Sequence, residues 1–566
     1  MNQTFGEMKK IAFAVVCVLA LAASAREAVS PMRIVWSTNA TDVALLVSPR
    51  LGQVPEGRFL KGSGAKLTVG TNGISAVLLD FGREWHGAVR IGNGVAGRGA
   101  RVRIRLGESV AEAMAELGEK GAQNDHALRD FTETLPWLGT REFGNSGFRF
   151  VRIDAVEGTA DLQFVQVLPV LRDMSQIGSF RCSDERLNQV FDTAVRTVHL
   201  CCQDYLWDGI KRDRLVWMGD THPENLVILP VFGAASVLPA SLDYMAATTS
   251  PSEWMNGMPT YTLWWIRNLA EWYRYTGDLR YLQKHAAYLE KTFEHVLTRM
   301  GADGWLGEGE MGNFLDWPTH DNPEAERAGT QGLALLTARE TEMMAKALGL
   351  EALAKKAREM AESITVGKVK SLPKSAAAML ALSGLAEPKE MFEKSLGREG
   401  HAGVSTFYGY YMIEAMSAAG EQQRALDTVR DYWGGMLDVG ATSFWEDFDL
   451  AWTNNCFRID ELPIPGKVDI HGDYGKYCYK GFRHSLCHGW AAGPAAWCFR
   501  RVLGIEILEP GCKQLRVNPA LGDLDWAEGT MALPTGEVIK VRVHRSQSGA
   551  PTVEVEKPDW VVVAPL

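Results

Sequence analysis

Between Trp207 and Asp220 the chain reads WDGIKRDRLVWMGD. Three aspartates (Asp208, Asp213, Asp220), two tryptophans (Trp207, Trp217) and three cations (Lys211, Arg212, Arg214) crowd into this stretch with no helical or strand period. Long charged side chains and large aromatics seldom share a buried segment unless the charges are paired or used. Two readings follow. The aspartates pair with the neighbouring arginines and cap a helix expected to begin near Pro223. Or they form a carboxylate site. Hydrolysis of a glycosidic bond needs two carboxyl groups flanking the anomeric carbon, one to protonate the leaving oxygen and one to activate water or attack directly.

Three further clusters have compatible chemistry. GEMGNFLDWPTH carries Glu308, Glu310, Asp316, Trp317 and His320. ATSFWEDFDLAW carries Trp445, Glu446, Asp447 and Asp449, and SLCHGW carries His488. Each has a plainer explanation: a polar connecting loop, a charged helix N-terminus, and a histidine satisfied inside an apolar helix. Carboxylates interleaved with indole rings are also what holds a sugar by its hydroxyls and C–H faces.

The elements around these clusters change texture along the chain. Residues 30–178 show short alternating segments such as AVLLDFGREWHGAVRIG and FRFVRIDAVEG, broken by Gly and Asn turns, which predicts an N-terminal β-sandwich. From Cys182 the pattern turns helical. Leu187, Val190, Phe191, Ala194, Val195 and Val198 fall on one face behind a Ser/Asp capping signal. Helical segments continue to about residue 504 and suggest about twelve helices in six hairpins, enough to close an (α/α)6 barrel or to build an open array. Residues 505–566 return to alternating runs, with LPTGEV as a hairpin turn, and predict a small C-terminal β-sandwich domain. The expected architecture is multidomain: a signal segment over 1–25, then sandwich, helical domain over 182–504, and sandwich.

A chain of 566 residues is too long for one ordinary core, in keeping with several domains. A net charge of -10 and a pI near 5.7 exclude an extended nucleic-acid surface. Eighteen tryptophans favour a carbohydrate partner. Lys9 and Lys10, the apolar run IAFAVVCVLALAA and Ala23-Ser24-Ala25 read as a cleavable export signal, which predicts a secreted or periplasmic protein with no membrane span in its mature form. The nine cysteines include no CxxC pair and no zinc-like spacing with histidine, which leaves room for one or two disulfides after export; the expected chemistry requires no metal and no cofactor, with calcium at a carboxylate cluster as an open alternative.

Taken in chain order, the clusters resemble the α-L-rhamnosidases of glycoside hydrolase family 78. The family signature, D-C-P-x-R-(x)-E-R-x-G-W-x-G-D, is similar to DGIKRDRLVWMGD; FLDWPTH looks like its G-D-W loop, TSFWEDF its W-E segment, and SLCHGWAAG its N-H helix. LLDFGREWHGAVRI and the segment from Leu503 onward resemble the β-sandwiches that flank the barrel in that family. The resemblance implies an (α/α)6 barrel and an inverting mechanism, with Asp213 as general acid and Glu446 as general base. It also implies sugar binding by Asp208, Arg212, Asp220, Asp316 and His488, and an apolar wall of Trp217, Trp317 and Trp445. Three departures stand out: Asp213 where the family usually has Glu, DGI for DCP, and a long polar insertion between Glu446 and His488. Two other functions share this pattern, an (α/α)6 enzyme for another sugar or with lyase chemistry, and a non-catalytic glycan-binding protein. Oligomeric state is not readable from the sequence.

Overall fold

The computed structural model describes residues 27–47, 64–70, 73–309, 312–367, 369, 371–476, 479–546 and 551–565. The expected signal segment, Glu310 and Cys17 lie outside the described residues. By its internal contacts the chain divides into two units. The first runs to Arg103 and adds Thr132–Asn145 and Ile153–Val170; the second comprises Ile104–Phe131, Ser146–Arg152 and Leu171–Leu566.

The first unit is built on an eight-stranded sheet. Its long strand Ala76–Asn93 pairs antiparallel with Thr159–Pro169, with Ile91 opposite Val165. Burial along Ala76–Asn93 is nearly continuous, so both faces are covered rather than one. Asp161 is pinned inside this unit. It accepts from Gly64 N–H at 3.0 Å, Ala96 N–H at 3.2 Å and Gln163 Nε2 at 2.9 Å, and pairs with Lys66.

The helices of the second unit follow their local signals. Glu185–Cys201 begins at Asp184, whose carboxylate accepts from the N–H groups of Arg186 and Leu187 at 2.8 and 3.3 Å. Its six expected core positions are all buried. Pro259–Thr276 starts on a proline and stops at Gly277, which is left-handed (φ 65°). Met218–Phe232 departs from expectation. It begins five residues before Pro223, and that proline and Pro230 lie inside it. All its residues are buried, so packing rather than amphipathic period sets it.

Helices Met218–Phe232, Pro259–Thr276, Pro323–Leu348, Lys374–Ser383, Gly409–Ala418 and Gly493–Trp497 pack each against the next. The last also packs against the first. Leu279–Thr298 and Glu351–Ser363 pack outside them, against Pro323–Leu348. The shared core buries Trp264, Trp265, Trp433, Trp445 and Trp497 completely. Several of their indole N–H groups donate to core oxygens, as Trp433 does to Ala491 O at 2.8 Å and Trp497 to Ser417 Oγ at 3.0 Å. Much of the tryptophan content thus serves packing.

In the C-terminal part, Trp526–Ala532 and Val538–Arg545 form the expected hairpin, with Gly536 left-handed (φ 84°) in its turn. Its other neighbour comes from far away in sequence: Ser179–Cys182 pairs antiparallel with Trp526–Ala532. Ile505–Ile507, Gln514–Val517 and Val562–Ala564 form a separate three-stranded sheet. No helix among the described residues is long and apolar enough to cross a membrane. The seven described cysteines are unpaired, and all but Cys456 are buried.

Candidate active site

The Trp207–Asp220 stretch is a loop leading into a helix. It closes on itself: Asp208 N–H donates to Leu215 O at 3.0 Å, and Leu215 N–H donates back to Asp208 Oδ1 at 3.0 Å. Within this closure Asp213 and Arg214 are both left-handed, at φ 52° and 55°. Two consecutive non-glycine residues in that region store strain of about 1–3 kcal/mol each. The Asp213 side chain is partly exposed there (19%).

The helix that follows carries Asp220 in its first turn. Asp220 Oδ1 meets His488 Nε2 at 2.9 Å, and Tyr261 Oη donates to its Oδ2 at 3.2 Å. His488 does not lie within a helix as the sequence suggested. It is extended (φ −140°, ψ 124°), just before the turn Gly489–Ala492. This lets its strand-like segment run beside the loop, where Gly489 N–H donates to Asp208 O at 2.7 Å. Gly209 permits the approach, since a Cβ there would stand 2.9 Å from Cys487 O and 3.2 Å from the His488 ring. In the family signature this position is Cys.

Glu446 arrives from the other end of the helical domain. Its N–H donates to Ser485 O at 3.0 Å, its Oε2 accepts from Ser485 N–H at 3.2 Å, and its carbonyl accepts from Trp490 Nε1 at 3.0 Å. Arg212 joins the two carboxylates. Its Nη1 donates to Asp213 Oδ1 at 3.1 Å and its Nη2 to Glu446 Oε1. The guanidinium lies 4.6 Å from the centre of the Tyr479 ring. Tyr479 in turn meets Trp317 edge-on at 5.3 Å.

The electrostatics separate these groups. Burial pushes the Glu446 carboxyl up, but Arg212 and His488 outweigh it and hold it below the ordinary range. Burial also opposes charge on His488, and Glu446 and Asp220 override it, raising the imidazole. Asp208 is pushed well up by burial, only partly offset by His488. Asp220 is raised the same way. Asp316, buried and accepting from Ser405 Oγ at 2.8 Å, is raised to about 7. Asp447 rises to about 7 through burial and the adjacent Glu446.

Thus Asp208, Arg212, Asp213, Asp220, Glu446 and His488 form one connected cluster. Trp217 touches it through Tyr261, at 5.7 Å between ring centres, and Trp317 through Tyr479. Asp316 sits beside Trp317 with Ser405 as its partner. Trp445 has no exposed surface and packs edge-on against Phe448 at 5.6 Å.

Sequence reasoning missed Tyr261, Tyr479 and His126. Tyr261 lies in a helix buried among apolar residues, and Tyr479 follows the polar insertion and lies against Arg212. His126 belongs to the polar loop AQNDHALRD, more than eighty residues from Asp213 in sequence, and its Nδ1 lies 3.1 Å from Asp213 Oδ1. Glu108, Glu112 and His471 also converge. Lys211 Nζ supplies the cation there, at 3.2 and 2.9 Å from the two glutamates.

Residues 175–372 match the family model described as the bacterial alpha-L-rhamnosidase 6 hairpin glycosidase domain. The family 78 rhamnosidase of Bacillus sp. GL1 superposes with a TM-score of 0.72 and 23% identity, over 92% of this chain and 55% of that one. A rhamnosidase from Klebsiella oxytoca, solved with rhamnose bound, gives 0.67 and 20% identity over 84% and 95%. An alpha-L-rhamnosidase of Streptomyces avermitilis, complexed with L-rhamnose, gives 0.65 and 16% over 88% and 49%. An alpha-L-rhamnosidase of Formosa agariphila is 28% identical over 81 residues, which are 14% of this chain and 8% of that protein. The chain therefore spans about half the length of the Bacillus enzyme and aligns with a small part of the Formosa one. Residues 175–372 carry the signature of the bacterial rhamnosidase six-hairpin glycosidase domain, and the chain around them has the fold of the family 78 rhamnosidases.

Proposed function

We propose that this protein is an exported, inverting glycoside hydrolase that removes terminal α-L-rhamnose, with Asp213 as general acid and Glu446 as general base. The ring of six successively packed helices would be the inner layer of an (α/α)6 barrel. The carrying observation is Arg212, whose single guanidinium reaches both carboxylates. That contact keeps the pair no wider than the separation of about 6.5–9.5 Å used by inverting enzymes. It also gives Arg212 a role in binding: it would turn to a sugar hydroxyl when substrate enters and release the acid.

In the reaction, protonated Asp213 donates to the glycosidic oxygen as the bond to C1 breaks. Water attacks C1 from the opposite face, and Glu446 takes its proton. A low Glu446 pKa keeps the base ionised at neutral pH. Asp208, Asp220 and His488 would hold the ring hydroxyls, with Trp217 and Trp317 on its apolar edge. Asp316 would bind from the Trp317 side, and Trp445 would shape the wall from behind.

The test is turnover of aryl α-L-rhamnoside beside the corresponding α-L-arabinoside, β-glucuronide and β-galactoside, with the first-formed anomer read by NMR. Hydrolysis of the rhamnoside with inversion is expected. Asp213→Asn and Glu446→Gln should each lower kcat by about 10²–10⁴-fold with the melting temperature retained. A near wild-type rate in either variant rejects that residue's role. The Arg212–Asp213 pair favours one other reading, a glycan-binding protein with a neutralised acid. Saturable rhamnoside binding without turnover at any pH would establish it. Fractionation of a cell expressing the full chain tests export.

A further inference from the structure

His126 stands against the acid at two points. Its Nδ1 is 3.1 Å from Asp213 N and 3.1 Å from Asp213 Oδ1. Its main-chain carbonyl accepts from Arg214 Nη2 at 2.7 Å. One residue of a distant loop thereby fastens both left-handed residues of the catalytic loop. The far side of the ring faces outward: Nε2 lies 3.3 Å from Arg483 Nη2 and 3.5 Å from Asp125 Oδ2. Arg483 also pairs with Asp125, and the His126 side chain is 33% exposed. The other charged groups facing this region are Arg212 on Asp213, and Arg129, Lys211 and Glu112, which with His126 line a cavity of about 20 Å3.

We propose that His126 is the positioning residue of Asp213, fixing the acid in its left-handed pose and returning a proton to it after each turnover. The inference rests on the reading of Asp213 as general acid. An inverting cycle leaves the acid deprotonated and the base protonated, so one proton must reach Asp213 from solvent while one leaves Glu446. A proton taken up on the exposed edge of the ring makes an imidazolium whose Nδ1–H points at Asp213 Oδ1. Its transfer protonates the carboxylate and leaves a lone pair on Nδ1. That lone pair accepts the Asp213 N–H, already in place, while Nε2–H faces Asp125. The neutral ring is then left with its proton on Nε2, so solvent removes that proton and restores one on Nδ1 before the next turnover; the net change per cycle is one solvent proton delivered to Asp213.

The experiment compares His126→Ala and His126→Asn on methyl α-L-rhamnoside, whose leaving group needs an acid, and on 2,4-dinitrophenyl α-L-rhamnoside, whose leaving group does not. Asparagine can accept the Asp213 N–H but cannot carry a proton. On the methyl glycoside we expect His126→Ala to lower kcat by at least about tenfold with little change in KM, and to move the alkaline limb of the rate profile to lower pH. Added imidazole should restore part of that rate. His126→Asn should keep the KM and melting temperature but not the alkaline limb. Both variants should stay near wild type on the dinitrophenyl glycoside. An unchanged kcat and pH profile in His126→Ala overturns the inference, as does an equal loss on both substrates without imidazole rescue. If Asp213→Asn hydrolyses the methyl glycoside at the wild-type rate, the acid assignment itself fails, whatever His126 does.

Discussion

In the proposed reaction Arg212 releases Asp213 so that the acid can donate, while its contact with Glu446 keeps the base ionised. The same contact offsets the burial of Glu446. Replacing Arg212 by Met removes the strongest cation and leaves a fully buried carboxylate with the Ser485 N–H, His488 and His484 as its remaining partners. Burial then dominates, and the Glu446 pKa rises. A base must be ionised, so the acidic limb of kcat/KM should move to higher pH, by about one unit or more. A pH–rate profile of Arg212→Met measures it, and an unmoved limb would detach Glu446 from the base role. At this scale the sequence was partly legible. The crowding of carboxylates and indoles marked the stretch as a candidate, and the resemblance to the family signature singled out Asp208, Asp213, Trp217 and Asp220 within it; a loop running into a helix then brings these sequence neighbours together in space. His126 carried no signal, since its place depends on a contact between segments far apart along the chain.

Among the elements, helix Met218–Phe232 does most to set the site. It is held to Pro259–Thr276 by Asn268 Nδ2, which donates to Met218 O at 3.0 Å, and by Asn225, 3.2 Å from Asn268 Oδ1. Gly219 lies against the second helix, where a Cβ would stand 2.8 Å from Tyr261 Cζ. Gly219→Ala should therefore displace the Tyr261 ring and loosen its bond to Asp220. We expect kcat/KM to fall about tenfold or more while stability drops by about 1–3 kcal/mol, the usual cost of overpacking. Kinetics and a denaturant titration on the one variant check both. The start of this helix was misplaced from sequence because Pro223 reads as a first-turn residue. Inside the structure it is tolerated in a segment buried on all sides. The insertion before His488 was legible only as polar. The cover over Arg212 comes from Tyr479, which nothing in the sequence distinguishes from Tyr474 and Tyr477 nearby.

Across the whole molecule, burial raises four carboxyls to about 7: Glu108, Asp316, Glu326 and Asp447. In the unfolded chain they titrate near 4. Between those values the native state holds protons that the unfolded state has lost, so stability falls as pH rises from about 4 to about 7. Glu271, held at about 2 by Arg274 and Arg500 against its burial, acts the other way and contributes stability that is lost on strong acidification. His222, His471 and His484, depressed by burial, also oppose the raised carboxyls and add stability as pH rises to the ordinary histidine range, so the carboxyl contribution is read by difference: between pH 5 and about 7.5 Asp316→Asn should lose less melting temperature, or gain more, than the parent chain. The change of texture along the chain, strands then helices then strands, was legible from periodicity. The pairing of Ser179–Cys182 with Trp526–Ala532 was not, because no local pattern names a partner strand some 350 residues away. The unpaired thiols have a practical consequence. Burial raises Cys182 to about 11 and Cys512 to about 12, and lifts Cys201, Cys202 and Cys498 well above the usual thiol range, so little thiolate is available to react in the native state. A pulse of alkylating reagent becomes a clock for local opening. Cys201 and Cys202 time exposure at the entry to the Asp208 loop, Cys487 times the segment beside His488, and Cys512 times the C-terminal strands, so mass-resolved labelling separates breathing of the Asp208–Asp220 loop from unfolding of the molecule.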